Sequence, residues 1–373
     1  MLSEFEKELT YCTFCPKLCK FACPVAVATG REDVTPTSKM QFAYFILRGM
    51  EDLDDPEYNS IFYQCTTCTA CSSYCDHEID VSRVLLEAKR EVSGRGIIPP
   101  EAVRIRDSVL RFRGSPYSRP LSVRERVKKF VITDAQVILF PGYTAVNEYP
   151  VLIERFFRVM EELGINYVAL YENFFSSGYP LYSLGFQQEF ISFARNLYKE
   201  LSGYRLIITL DPSDAWILRN IFGELGFYLH EKVKTIDEFL NEISENIREK
   251  IKEPVFESYS YHDPCYLGRY AGLYELPRKV LSLIFKRKVE NPWWGKDSFC
   301  CGRGGMYFLI DPEGSRKVAR VRRSHFENLS IDAVVTSCPG GVVQLRSAGR
   351  GLKVWHIVDA LYFAIQELKN GKE

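Results

Sequence analysis

The chain has 373 residues, 46% of them apolar, and balances 48 basic against 48 acidic side chains. That length supports two or three domains with cores of their own. The zero formal charge gives no electrostatic footing for nucleic acid, and no apolar run approaches the ~18 residues of a membrane-spanning helix. The opening Met1-Leu2-Ser3-Glu4-Phe5-Glu6 is acidic and has no apolar stretch of the kind that marks a secretory signal. A cytoplasmic location is expected, with peripheral docking on a membrane partner left open. In such a chain twelve cysteines point to metal ligation in a reducing compartment, not to a disulfide framework.

All twelve cysteines fall into three constellations. The first is Cys12-x2-Cys15-x3-Cys19-x3-Cys23-Pro24, and the second is Cys65-x2-Cys68-x2-Cys71-x3-Cys75. The second has the bacterial ferredoxin spacing, in which three close thiolates wrap one [4Fe–4S] cluster and the fourth reaches the other. Applied to both runs, that logic assigns Cys12, Cys15, Cys19 and Cys75 to one cluster. It assigns Cys65, Cys68, Cys71 and Cys23 to the other. The first run carries one extra residue between its second and third Cys, and the second lacks a Pro after its last. Structural zinc also uses close thiolate pairs and is the alternative reading.

The 41 residues between the runs read as helix. Pro36-Thr37-Ser38 offers an N-cap, Phe42, Ala43, Phe45 and Ile46 repeat at helical spacing, and Gly49 stops them. Val81, Val84, Leu85 and Ala88 repeat likewise up to Gly94. Pro99-Pro100 begins another helix with Val103, Val109, Leu110 and Phe112. Phe14, Phe21, Phe62, Tyr63 and Tyr74 lie near the cysteines and are expected to pack around them. Residues 114–125 are turn-rich and read as a linker.

Beyond the linker, short apolar runs alternate with helical periodicity, the mark of an α/β region with a parallel sheet. Strands are expected at 137–140, 167–170 and 206–208, and helices near 149–162, 186–201 and 213–225. The third constellation follows: Cys265 in His262-Asp263-Pro264-Cys265, the pair Cys300-Cys301-Gly302, and Cys338 in Thr336-Ser337-Cys338-Pro339-Gly340-Gly341. Adjacent cysteines suit a polynuclear cluster, where neighbouring thiolates reach different iron atoms. Glycines beside them let the backbone come close to it.

The same loops have a Cys-less counterpart upstream. Phe140-Pro141-Gly142-Tyr143 matches the segment ending at Cys265, Ser176-Ser177-Gly178 matches Cys300-Cys301-Gly302, and the stretch from Ile207 to Asp214 matches that from Val334 to Gly341. In this copy Tyr143, Ser176, Ser177, Asp211 and Asp214 stand at the changed positions. Oxygen donors serve an iron–sulfur cluster poorly, so the copy is expected to survive as scaffold, with a polar substrate pocket as the sharper alternative. Asp211 is also placed to cap a helix.

The Cys265, Cys300-Cys301-Gly302 and Cys338-Pro339 pattern resembles the cysteine-rich CCG domain. That domain occurs in heterodisulfide reductase catalytic subunits and in the iron–sulfur subunits of glycolate oxidase, lactate oxidation and anaerobic glycerol-3-phosphate dehydrogenase systems. The likeness extends through His262 to Arg269 and through Trp355-His356-Ile357-Val358-Asp359. The N-terminal part is similar to the α-helical ferredoxin of succinate dehydrogenase and heterodisulfide reductase relatives. The resemblance implies a multidomain α and α/β chain. Residues 1–113 would form an α-helical ferredoxin-type domain with two [4Fe–4S] clusters, and 114–125 the linker. Residues 126–250 would form a degenerate CCG lobe without Cys ligands, and 251–373 a CCG lobe with four. The family often ends its motif in Cys-Pro-x-Cys, where this chain has Gly341, so a third cluster on Cys265, Cys300, Cys301 and Cys338 is implied with cubane and non-cubane forms both open.

The implied function is electron transfer between a partner flavoprotein dehydrogenase or other redox protein and an acceptor, with a quinone-linked or peripheral membrane partner possible within the family. The alternative is a heterodisulfide reductase-type thiol–disulfide reductase catalytic chain. Gly302-Arg303-Gly304-Gly305 lacks the dinucleotide fingerprint, so hydride chemistry would belong to a partner protein. His262 reads equally as a donor or proton shuttle at the cluster and as a structural residue. Arg269 and Arg303 read by default as solvated, with charge compensation as the alternative. His356 and Asp359 read as a helix start, and the basic run from Arg316 to Arg323 as an exposed helix face.

Overall fold

In a computed structural model, residues 1–50, 60–117 and 135–370 are described. The N-terminal part is helical, with principal helices Glu6–Phe14, Pro36–Leu47, Val81–Gly94 and Pro100–Arg111. The cap of the second is Thr35, not the expected Pro36-Thr37-Ser38. The Thr35 hydroxyl accepts from the Ser38 amide at 3.2 Å, and Pro36 occupies the first turn, where its missing N–H costs nothing. Asp80 caps the third helix in the same way, through the amide of Arg83. In the fourth, the buried face is Ala102, Ile105 and Val109; Leu110, expected inside, is exposed.

Two four-stranded parallel sheets follow, with strands β1 (Val137–Phe140), β2 (Val168–Leu170), β3 (Leu206–Thr209) and β4 (Val233–Thr235) in the first. The second holds β5 (Phe256–Tyr261), β6 (Phe285–Lys288), β7 (Ala333–Thr336) and β8 (Val354–His356). Their strand orders, β2-β1-β3-β4 and β6-β5-β7-β8, are the same, so the upstream copy shares its partner's topology as well as its loop pattern. The expected helix at 213–225 is broken. Pro212–Trp216 runs into a π-helical turn at Ile217–Ile221 before Phe222–Glu224.

The three parts are not beads on a string. Val84, Leu85 and Ala88 from the helical region share one core with Tyr179, Leu184, Phe186 and Phe190 of the first lobe. A second core joins the lobes, with Phe156 and Met160 beside Val334 and Leu361. Of the expected linker, Gly114 and Ser115 are buried, and the Gly114 carbonyl accepts from Ser176 Oγ at 2.9 Å. Residues 118–125 lie outside the described residues.

Candidate metal centres

The first cysteine run folds as short turns between helices. Cys12 lies in the last turn of helix Glu6–Phe14, Cys15 caps that helix, and Cys19 precedes a short turn. Cys12, Cys15, Cys19 and Cys75 line one cavity of about 600 Å³, and Cys71 reaches its wall. Cys23, Cys65, Cys68 and Cys71 line a second cavity, closed by Lys39. Two threonines of the second run, Thr67 and Thr69, hold φ of 50° and 55°. This left-handed backbone is costly for β-branched residues and persists where surroundings over-determine it. Here the Thr67 hydroxyl meets the hydroxyls of Tyr179 and Tyr266, each at 3.2 Å, and the Thr67 carbonyl accepts from Tyr270 at 2.8 Å.

The third cavity lies between the two lobes, beyond the carboxyl ends of the parallel strands, where open α/β sheets gather ligand loops. The loop after β5 brings Cys265 and the segment before the turn Gly304–Met306 brings Cys300 and Cys301. Cys338 stands at the N-cap of Pro339–Ser347. The Gly302 amide points at Cys300 Sγ at 3.3 Å. Gly302 (φ +93°) and Gly305 (φ +62°) take conformations that side chains rarely adopt, and a Cβ on Gly302 would lie 2.8 Å from Val318.

This third cavity is built directly onto the second. Cys68 and Cys300 pack side by side in one small buried cluster with Ala22 and Ala70. A Cβ on Gly304 would collide with the Thr66 carbonyl, and one on Gly305 with the Cys65 carbonyl, so only glycine lets the backbones meet. Arg269 Nε donates to the Cys68 carbonyl at 2.6 Å and its Nη1 to that of Ser298 at 2.7 Å, tying the two loops together.

The oxygen-bearing copy of the site divides in two. Ser176, Ser177 and Asp214 are buried scaffold: Asp214 Oδ1 accepts from the Ser177 amide at 2.8 Å and its hydroxyl at 2.6 Å. Burial and neighbouring Asp211 push Asp214 up to about 7. Asp211 accepts from the Ser213 amide at 2.9 Å as an N-cap, yet with Tyr143 it also forms the wall of the third cavity opposite the thiols.

Several expectations are corrected. Phe62 and Tyr63 are fully buried, whereas Phe14 lines the first cavity yet is 77% exposed, and Phe21, 48% exposed, packs edge-on against Tyr74 of that cavity, so these two form its outer rim and not a buried shell. Arg303 is buried, paired with Glu148 and set 3.9 Å over the Phe308 ring, and Arg269 is half-buried; neither is solvated. Arg322 and Arg323, taken for an exposed face, are buried. Arg322 Nε donates to His262 Nδ1 at 3.1 Å. That fixes the imidazole tautomer, leaving the proton on Nε2. Burial, then the charges of Arg322 and Arg269, hold His262 well below its ordinary pKa, so it stays neutral. His356 and Asp359 do form a helix start, with the His356 amide donating to Asp359 Oδ2 at 3.0 Å. No sequence signal marked Arg322, since its partners Asn291 and Trp293 come from a distant loop.

The donor chemistry fits iron–sulfur ligation. All twelve thiols are free, soft donors. Burial, then the neighbouring Cys19, Cys75 and Cys15, push Cys12 up to about 12; the hydrogen bond with Cys301, and burial, bring Cys300 to about 12. Clustered thiols this hard to ionise become thiolates readily only when a cationic core shares them. Among the described residues no three His, Cys, Asp or Glu side chains converge on a point as a single metal ion requires.

Residues 8–79 match the family model described as a 4Fe-4S dicluster domain, and residues 259–346 match that of the CCG cysteine-rich domain. The chain carries a 4Fe-4S dicluster-type domain followed by a CCG cysteine-rich domain. It is similar to a probable membrane-anchored ferredoxin of Chromohalobacter salexigens, 28% identical over 74% of this chain and 43% of that one. It thus spans less than half of that relative's length. A component of the dihydromethanophenazine:CoB–CoM heterodisulfide reductase of Methanosarcina acetivorans is 26% identical, over 89% of this chain and 87% of its own. The EtfAB:quinone oxidoreductase of Syntrophomonas wolfei is 23% identical, over 82% and 46%. No helix among the described residues is long and apolar enough to cross a membrane.

Proposed function

We propose that the chain is the electron-transfer subunit of an oxidoreductase, and that its twelve cysteines hold three centres in series. Cys12, Cys15, Cys19 and Cys75 hold the first, Cys23, Cys65, Cys68 and Cys71 the second, and Cys265, Cys300, Cys301 and Cys338 the third. When bound, the clusters supply one-electron steps that no side chain here performs. The protein orders the thiolates, excludes water and sets the charge around each site. The observation that carries this reading is the packing of Cys68 against Cys300, which leaves no gap between the second and third sites. Names of relatives that include a quinone oxidoreductase and a membrane-anchored ferredoxin support a flavoprotein or other redox protein on one side and a quinone-linked acceptor, peripheral to a membrane, on the other.

The thiol–disulfide reductase reading is weaker because the third cavity faces Tyr143 and Asp211 in the first lobe, with no second set of thiols across it. Anaerobically purified protein is expected to carry about 12 iron atoms per chain if each site holds four, and to show reversible spectral change with dithionite. Colourless protein loaded with zinc overturns the proposal. Rapid reduction of mixed disulfides by the isolated chain would favour the reductase.

A further inference from the structure

Buried guanidinium groups normally sit against carboxylates, because an uncompensated interior charge is costly. Around the third cavity this holds for Arg278, paired with Asp263 at 2.6 Å, and for Arg303, paired with Glu148. It fails for two others. Arg322 is 0% exposed, and its fork meets only neutral groups: His262 Nδ1 at 3.1 Å, Asn291 Oδ1 and the Trp293 carbonyl at 3.0 Å, His325 Nδ1 at 3.4 Å and Ser298 Oγ at 3.5 Å. Arg269 is half-buried and meets only the carbonyls of Cys68, Lys296 and Ser298. Among the described residues neither has a carboxylate ion pair. The nearby carboxylate that could serve, Asp263, is already held in a two-point pair by Arg278. The acidic groups beside Arg322 are Asp263, already engaged by Arg278, and then the thiols of Cys301 and Cys300; beside Arg269 they are the thiols of Cys68, Cys265 and Cys300 and the Tyr274 phenol.

We propose that Arg322 and Arg269 are the counter-charges of the C-terminal thiolate centre, positioning residues that set its midpoint potential. The inference rests on the electron-transfer reading of that site. Four thiolates around an iron–sulfur core carry net negative charge, and reduction adds one more. A fixed positive charge in a weakly screened interior favours the reduced form over the oxidised one and so raises the potential. Arg322 acts from behind the cavity and also steers the His262 Nε2–H, since it occupies Nδ1. Arg269 acts from the seam, where its Cys68 contact places it between the second and third sites. The first cavity has no Arg or Lys among its described lining residues, so it is outside this influence.

Redox titration followed by EPR on the full, anaerobically loaded chain tests this. Arg322→Met should shift the third signal to lower potential and leave the first two in place. Arg269→Met should lower the third and, less strongly, the second. Arg322→Lys and Arg269→Lys keep the charge and should keep the potentials near wild type, which a merely structural role does not explain. The proposal is overturned if both Met variants titrate as wild type, or if the Lys variants fall as far as the Met variants. Should Arg322→Met not accumulate folded, the half-buried Arg269→Met decides. Wild-type iron near eight atoms per chain, with only two signals, would instead remove the reading beneath the proposal and the proposal with it.

Discussion

Cys68 and Cys300 come from different cysteine runs, yet their side chains lie in contact inside one small buried cluster. Removing either sulfur therefore strikes the same seam from opposite sides. Cys300→Ala is expected to lower iron from about 12 to about 8 atoms per chain, with the third signal lost and the first retained. Cys68→Ala should lose the second signal and slow electron delivery to the third. Iron analysis and EPR on each variant check this.

The glycine seam tests the same contact without touching a sulfur. Gly304→Ala places a Cβ against the Thr66 carbonyl, where backbone, not a movable side chain, must yield. A cost of about 1–3 kcal/mol is expected from overpacking of this kind, read as a lower thermal midpoint. Gly223→Ala has open space around its Cβ position and serves as the control.

The lobes are held by Asp359, 0% exposed, which accepts from Tyr149 and pairs with Arg155 at 2.8 Å and Arg346 at 3.5 Å. Asp359→Ala removes the acceptor and leaves the partly buried Arg155 guanidinium, and the more exposed Arg346, without their anion. About 3 kcal/mol of destabilisation is expected, measured by urea unfolding of the iron-free chain.

Asp237 makes stability depend on pH. Its carboxyl is buried and accepts from Ser337, and its Oδ2 has no partner; burial pushes its pKa up to about 7. A raised folded-state pKa means the native state holds a proton that the unfolded chain releases first. The resulting stability is full below the ordinary carboxyl range and is lost as pH rises through about 7. Asp237→Asn does not titrate. The stability of wild type relative to this variant should therefore fall between about pH 4 and about pH 7, by ~4 kcal/mol at most. An unchanged difference across that range would refute the assignment.

Much of this architecture is legible in the residues themselves. Thiol spacing survives any fold, so the three constellations stood out, and short apolar runs marked β1 and β3 within a residue of their ends. The duplicated topology followed from matched loops around Tyr143 and Cys265. What stayed hidden depends on tertiary partners. Arg322 and Arg323 look like any basic helix face until His262, Asn291 and the carbonyl of Leu345 come from elsewhere to receive them. Phe14 looks like core until the fold leaves it outside. Asp211 and Asp214 differ by under one helical turn, yet one reaches the cavity wall and the other turns inward to Ser177.

The knot at Asp359 has a kinetic corollary. Helix Pro150–Glu162 of one lobe and helix Ile357–Asn370 of the other are fastened by the same carboxylate and continuous apolar packing, so the two halves move as a block. That block carries the third sulfur pocket, and the seam at Gly304 and Gly305 seats the helical region against it backbone to backbone, so the span from the second pocket is settled when the chain folds. Tunnelling across it would proceed over a fixed gap, and any throttle on turnover would sit where another molecule arrives or leaves.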